Sequence, residues 1–323
     1  MKGTYRIFAI LFVLLMFGST AIAQENFPTK PVRLLIPYAA GGAVDILGRT
    51  LGDELSKRWG QPVIIENRTG AGGTIASQVV AKSAPDGYTL VIIASGHAIN
   101  PYLYSKLPYD TFKDFTPISL LGSSPNMMLV AANSPFKTLG DVLAAARAKP
   151  GDLSYGMSGT GTSTHLAGEL LKYMAKVDIT AVSYKGGAPI INDLLGGHLP
   201  LSFNNIPESI GQITGGSLRV LGVTTAKRSA VLPDSPTIAE AGVPGYDTAV
   251  WWGMLGPGGM PAGLAGKISK DCAGTLNAPA VKKRLDSLGA AVIGTTPAEF
   301  TKYIRSEYEK WGPIIKEAGI KGE

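Results

Sequence analysis

The chain is short of the residues that do most protein chemistry. It has one cysteine, Cys272, in 323 residues, so no internal disulfide can form. A chain of this length needs none, since a fold near 300 residues buries about 75% of its unfolded surface. Its three histidines, His97, His165 and His198, lie in separate segments without metal-ligand spacing, so neither a metal nor a cofactor is expected. No P-loop lysine follows any glycine turn. Gly70-Ala-Gly72 and Gly159-Thr-Gly161 both fail the dinucleotide pattern, whose last glycine is replaced by Ile75 and Thr164. Gly156-Met-Ser-Gly-Thr160 lacks the final glycine of a nucleophile elbow. The formal charge is +6, but only Lys282-Lys283-Arg284 cluster, and no basic stripe carries interleaved aromatics. A nucleic-acid partner is therefore not expected.

What is present first is an export signal. Lys2 and Arg6 precede the apolar run Ile7 to Phe17, and Ala21-Ile22-Ala23 forms an A-x-A site. The run is too short to cross a bilayer, which takes ~20 residues. Cleavage is expected after Ala23, with the mature chain in the periplasm.

A strand, a glycine turn and a helix then recur along the chain, which predicts an α/β fold with parallel sheets. The first unit is Val32 to Pro37, the turn Tyr38-Ala-Ala-Gly-Gly42, and a helix over 43–59. A second runs from Pro62 through Asn67 to Gly73 into a helix over 74–84. A third strand, 88–94, ends in Ser95-Gly96-His97. Residues 115–131 read as extended and as a crossing between domains. Further units follow: a helix over 139–148, strand 153–156, helix 165–175, strand 179–184, helix 189–195 and strands 199–204 and 218–224. Strand 246–255 and closing helices, the last over 297–318, complete the reading. Two half-sets of such units predict two lobes: 24–122 with 225–323, and 123–224. In sheets of this kind ligands sit beyond the carboxyl ends of the strands, where these turns lie.

The first turn offers backbone rather than a nucleophile. Gly41 and Gly42 allow positive φ and leave N–H groups uncovered at a helix start, where anions are attracted. The same glycines also suit a plain tight turn, and Asp45 suits either a ligand contact or a favourable first-turn charge. Ser95 beside His97 is the one pair that suggests catalysis, and it supports an alternative reading as a secreted hydrolase of carboxylate esters or amides. Cys272 shares a helix face with Ile268 and Leu276, which predicts a core position. Strand alternation predicts that one of Trp251 and Trp252 is buried; core packing is the favoured role, with bordering the cleft the alternative for one ring.

At this point the sequence resembles the tripartite tricarboxylate transporter receptors, also called the Bug family. Ile36-Pro-Tyr-Ala-Ala-Gly-Gly-Ala-Val-Asp45 is similar to their first ligand loop, and Val63-Ile-Ile-Glu-Asn-Arg-Thr-Gly-Ala-Gly-Gly73 to their second signature. Pro85-Asp-Gly-Tyr-Thr-Leu90, His97-Ala-Ile-Asn-Pro101, Tyr184-Lys-Gly-Gly-Ala-Pro189 and Pro233 to Gly242 continue it in order. The resemblance implies a two-lobed periplasmic binding protein of type II-like (Venus flytrap) form, with a ligand cleft between the lobes. It implies a small organic carboxylate ligand, delivery to membrane permease subunits, and no enzymatic activity; a monomer is expected. It places Tyr38, Ala39, Gly41, Gly42 and Asp45 at one carboxylate, with Ser95 and His97 on the same wall. Gly161, Thr162, Ser163, Gly186, Gly187 and Asn204 would form the opposing wall, Asn204 serving there or as a cap. Ala40 and Ala43 stand where the family often has Pro and Ser or Thr, which removes one loop hydroxyl. A sensor protein as alternative partner would use the same pocket.

Overall fold

The computed structural model describes residues 27–322 apart from Ala39 and Leu288, so the expected signal peptide lies outside the described residues. In chain order the elements are β1 (Val32–Ile36), α1 (Ala43–Trp59), β2 (Val63–Asn67), a 3-10 turn (Ala71–Gly73), α2 (Thr74–Ala81), β3 (Thr89–Ala94), α3 (Gly96–Leu103), β4 (Phe115–Ser124), β5 (Asn126–Ala131), α4 (Leu139–Ala148), β6 (Ser154–Met157), α5 (Ser163–Ala175), β7 (Thr180–Ser183), α6 (Gly187–Leu195), β8 (Leu201–Asn205), α7 (Ile206–Thr214), β9 (Leu218–Val223), β10 (Val250–Pro257), α8 (Ala262–Leu276), α9 (Pro279–Ser287), β11 (Ala291–Val292) and α10 (Pro297–Ala318).

They build two sheets. The first has six strands in the order β11-β4-β10-β3-β1-β2 and the second has five in the order β7-β6-β8-β5-β9. β1, β2 and β3 run parallel, as do β6, β7 and β8. β10 joins β3 and β4 antiparallel, and β5 joins β8 and β9 antiparallel.

Helices cover both faces of each sheet, which is why the central strands are nearly continuous apolar runs. In the first sheet Leu34, Ile36, Leu90 and Ile92 pack with α1, α8 and α9. Leu35, Val91 and Ile93 pack oppositely with α2 and the first half of α10. Core packing holds for both tryptophans, where alternation alone would bury one. Trp251 and Trp252 do point to opposite faces, but both faces are core, and the two rings are 0% and 2% exposed. Neither borders a cleft. Cys272 lies in the core as expected, and burial pushes its thiol up to about 12.

The second sheet repeats the arrangement. Met127 and Leu129 of β5 pack towards α6 and α7, while Met128 and Val130 pack towards α4 and α5. On α5, Leu166, Leu170 and Leu171 are buried, with Tyr173 and Met174 partly so, as the helical stripe predicts.

Among the described residues, α3 buries Ile99 and Leu103 in the second sheet's core, and three further connections join the sheets. The extended stretch over 115–131 divides at Pro125 into β4 of the first sheet and β5 of the second. The return differs from the expected boundary after residue 224. Ile238, Val243 and Tyr246 still pack in the second sheet's core, and Val223 bridges to Thr237, so the chain re-enters the first sheet only at Val250. The third connection is α10. Phe300 and Ile304 pack in the first core, whereas Trp311, Ile314 and Ile315 pack in the second. The reason is a shared carboxylate: Glu307 accepts hydrogen bonds from the indoles of Trp251 (3.1 Å) and Trp311 (3.2 Å). Residues 238–246 and the end of α10, expected with the first lobe, thus pack in the second core.

Truncating Trp311 to alanine removes a fully buried ring from this joint. Trp311→Ala is expected to cost about 3–5 kcal/mol, seen as a lowered midpoint in urea unfolding. An unchanged midpoint would show that the last turns of α10 do not hold the second core.

Candidate functional site

The turns after β1, β2 and β3 lie together at the carboxyl edge of the first sheet, and those after β6, β7 and β8 at the carboxyl edge of the second. The two edges meet. A Cβ placed on Gly161, which has φ +73°, would lie 2.6 Å from Leu103 of α3. Gly161 is therefore a point of close approach between the two parts of the chain. Its N–H is already donated to His165 Nδ1 at 3.1 Å, so it does not offer a free donor to a ligand.

The first turn is held by Asp45. Its Oδ2 accepts from the Gly41 N–H at 2.8 Å and from Arg49 Nε at 2.9 Å. Its Oδ1 accepts from Asn67 Nδ2 at 2.8 Å, and that amide also donates to the Tyr38 carbonyl at 3.0 Å. Burial works to raise the Asp45 carboxyl, but hydrogen bonds from Arg49, Gly41 and Asn67 outweigh it and hold it below its ordinary value. Asp45 is thus a clamp beneath the loop, and its oxygens are committed inside the protein. Gly41 (φ +83°) gives its N–H to the clamp rather than to the cleft, and a Cβ placed on it would meet nothing within 4 Å. The start of α1 at Gly42 has no side-chain cap. Its first-turn N–H groups have no intrahelical acceptor, and this is the anion-attracting feature of the wall. Ala39 lies outside the described residues. Tyr38 is half-buried, and its phenol is pushed up to about 12, chiefly by burial and also by Tyr109, against an opposing effect of the Ala94 backbone. It is a neutral hydroxyl beside this turn.

Ser95 and His97 do not form a catalytic pair. The Ser95 hydroxyl accepts from the Trp251 N–H at 3.1 Å and donates to the Ala249 carbonyl at 3.4 Å, which pins α3 to β10. His97 is buried, stacked on Tyr109 and edge-on to Phe115, and neither ring nitrogen has a partner of hydrogen-bond geometry. Burial lowers it to about 4, with the Thr111 backbone acting the other way. Both side chains, expected to line the ligand wall, are buried.

On the second wall Thr162 caps α5. Its Oγ1 accepts from the His165 N–H and donates to the Gly159 carbonyl. Ser163 begins the helix and is partly exposed. α6 starts at Gly187 after Gly186 (φ +100°), again without a side-chain cap. Asn204, at the end of β8, is 0% exposed, and neither its Oδ1 nor its Nδ2 has a partner. Oδ1 lies 3.0 Å from the point a Gly187 Cβ would occupy, and the Glu208 carboxylate presses on the same point. Glu208 was missed in the sequence, where it reads as an ordinary acidic residue in the first turn of α7. A cavity of about 610 Å³ lies elsewhere, at the far ends of α4, α5 and α10 among Arg147, Lys172, Lys176, Glu169, Asp178 and Glu317. None of the glycine turns borders it. Among the described residues no group of three His, Cys, Asp or Glu could hold a metal ion.

The sequence profile of the tripartite tricarboxylate transporter family receptor matches residues 47–320. A UPF0065 protein from the tcbD-tcbE intergenic region of Pseudomonas sp. (strain P51) is 34% identical over 317 residues, covering 98% of this chain and 94% of its own. Among solved structures, Rpa4515 of R. palustris, determined with adipate, shares 38% identity at a TM-score of 0.80, covering 91% of this chain and 99% of that one. MatC of Rhodopseudomonas palustris, determined with bound malate, shares 32% identity at a TM-score of 0.77, covering 90% and 100%. The chain belongs to the tripartite tricarboxylate transporter receptor family. Its members are solute-binding receptors and not enzymes, so the hydrolase reading falls on the family as well as on the geometry of Ser95 and His97.

Two expectations test the wall. Asp45→Ala strands the Gly41 N–H and the Asn67 amide, at about 1–3 kcal/mol where such donors are buried, and should lower the melting temperature. Because the native carboxyl is depressed, the loss is fully expressed above pH ~4 and fades as the pH falls through the native value. A gap between variant and wild type that did not narrow in acid would refute the clamp. For His97 the native value also lies below the unfolded one, ~6.5. The unfolded chain therefore binds the proton first, and wild type should lose roughly 3 kcal/mol as pH falls from ~6.5 to ~4. His97→Phe should flatten that part of a stability–pH curve; identical curves would place the ring in contact with water.

Proposed function

We propose that the chain captures a small organic carboxylate between the two sets of turns and delivers it, in the periplasm, to a tripartite tricarboxylate-type membrane permease. The observation that carries this reading is the first turn, whose uncapped helix start is kept open by an internal carboxylate. The bonds to an anion there are charge-assisted, with backbone N–H as donor. Neither arginine of the adjoining segments competes for the role: Arg49 is tied to Asp45 and Asn67, and Arg68 pairs with Glu66 at 3.4 Å. Relatives determined with adipate and with malate agree with an aliphatic carboxylate ligand.

One lobe would hold the first sheet with the first half of α10, and the other the second sheet, the segment up to Thr248 and the end of α10. Capture would proceed by hinge closure. The strands that cross between the sheets supply the hinge. Thr224 ties them together: its N–H donates to the Asn126 carbonyl at 3.0 Å, its Oγ1 accepts from the Asn126 N–H at 2.8 Å, and its carbonyl accepts from Thr248 N–H at 2.9 Å.

The test is thermal unfolding of the chain without its first 23 residues against organic acids and neutral sugars. A carboxylate at a hundred times its dissociation constant should add about 2.7 kcal/mol, and sugars nothing. Gly41→Val, which forces a branched side chain onto positive φ, should abolish the shift while the protein still folds. No shift with any acid, after bound ligand has been stripped by partial unfolding, would overturn the reading.

A further inference from the structure

The two ends of the cleft are chemically unlike, and the difference is Glu208. The first wall is an uncapped helix start whose nearby carboxylate, Asp45, is turned inward and neutralised by Arg49. The second wall is also an uncapped helix start, that of the nine-residue α6, but here the Glu208 carboxylate lies against its first residue, Gly187. The Glu208 carboxylate occupies the space beside Gly187 that a Cβ would take. It is held there by a relay of amides: Asn126 Nδ2 donates to Asn205 Oδ1 at 2.8 Å, and Asn205 Nδ2 donates to Glu208 Oε1 at 3.5 Å. No lysine or arginine pairs with Glu208 among the described residues. The side chain is reached by solvent, yet its surroundings crowd it enough for burial to raise its carboxyl above the ordinary range. Beside it the amide of Asn204, fully buried and unpartnered at both atoms, adjoins the same point of α6. Buried polar groups left without partners are uncommon in native proteins and call for an explanation.

We propose that Glu208 and Asn204 form the subsite for the far end of the ligand, and that Glu208 selects there for a hydrogen-bond donor and against a second carboxylate. The ligand class is then a monocarboxylate whose other end carries an amide, hydroxyl or ammonium group. An N–H or O–H of that group bonds to Glu208, and the Asn204 amide meets the amide carbonyl, the hydroxyl oxygen or a second N–H of the ammonium. A second carboxylate would meet like charge at that end, while the first wall would still hold the first carboxylate.

The inference rests on the carboxylate-receptor reading, and the experiment separates the two. Succinate, glutarate and adipate would each be titrated calorimetrically beside its own monoamide, on wild type, Glu208→Gln and Glu208→Ala. Wild type is expected to bind at least one monoamide tenfold or more tighter than its parent diacid. In Glu208→Gln the gap should shrink at least tenfold, mainly through a gain in diacid affinity, and Glu208→Ala should show the same gain. Diacid bound as tightly as monoamide by wild type, or an unchanged ratio in both variants, would overturn the role of Glu208 and leave the receptor reading standing. Binding of neither acid nor amide by any of the three proteins, with the wider acid panel also silent, would overturn both.

Discussion

A loop that offers its own N–H groups to a ligand cannot also be fastened by them, and in the first turn this conflict is resolved from beneath. Asp45 takes the Gly41 N–H, the Arg49 guanidinium and the Asn67 amide, so that the turn, α1 and the end of β2 are fixed by one carboxylate. The uncapped start of α1 then remains available. A serine or threonine cap would have stabilised the helix by about 1 kcal/mol and consumed a donor. Gly42 and Ala43 give up that stabilisation, and the inward carboxylate supplies rigidity instead. An acidic residue inside an anion-attracting loop is tolerable only because Arg49 and three N–H donors, counting that of Arg49, have already satisfied it.

The sheets explain why the turns can be so thinly built. With helices on both faces, each central strand is anchored by side chains pointing both ways, and Trp251 and Trp252 fill opposite cores from adjacent positions. Ser95 uses its hydroxyl to lock the start of α3 to β10, and His97 fills space among Tyr109 and Phe115. The wall is therefore backbone supported by packed polar side chains that point away from the cleft. That arrangement suits a receptor, which needs a fixed set of donors and no reactive group.

Much of this was legible in the sequence because it is local. Three helices run over the expected residues, 43–59, 139–148 and 297–318, since each has a clear apolar period and a clear stop. The strand ends and glycine turns were legible for the same reason. What the sequence did not reveal depends on partners far away in the chain. Asp45 reads as a charge in a first helical turn until Asn67 is seen to reach it. Glu208 reads likewise until Gly187, in another unit, is seen to lie against it. The buried second tryptophan follows from helices placed on both faces, and the late return to the first sheet from the packing of Ile238, Val243 and Tyr246. Alternation within one strand carries none of that information.

The placement of α10 constrains any motion of the two parts. Its first half is embedded in the first core and its last turns in the second, with Glu307 bonded to an indole from each side. Tyr102 of α3 also packs on Gly312, where a Cβ would lie 2.5 Å from its hydroxyl. A helix cannot stretch, so the cores cannot separate at this point without exposing Trp311 and breaking both indole bonds. The crossing strands at Pro125 and Val250 bind the cores along a second line. α3 adds a further tie, since its Ile99 and Leu103 are buried in the second core. The contact of Gly161 with Leu103 belongs to that core. That glycine must stay small for the edges to meet, although it gives no hydrogen bond to anything in the cleft.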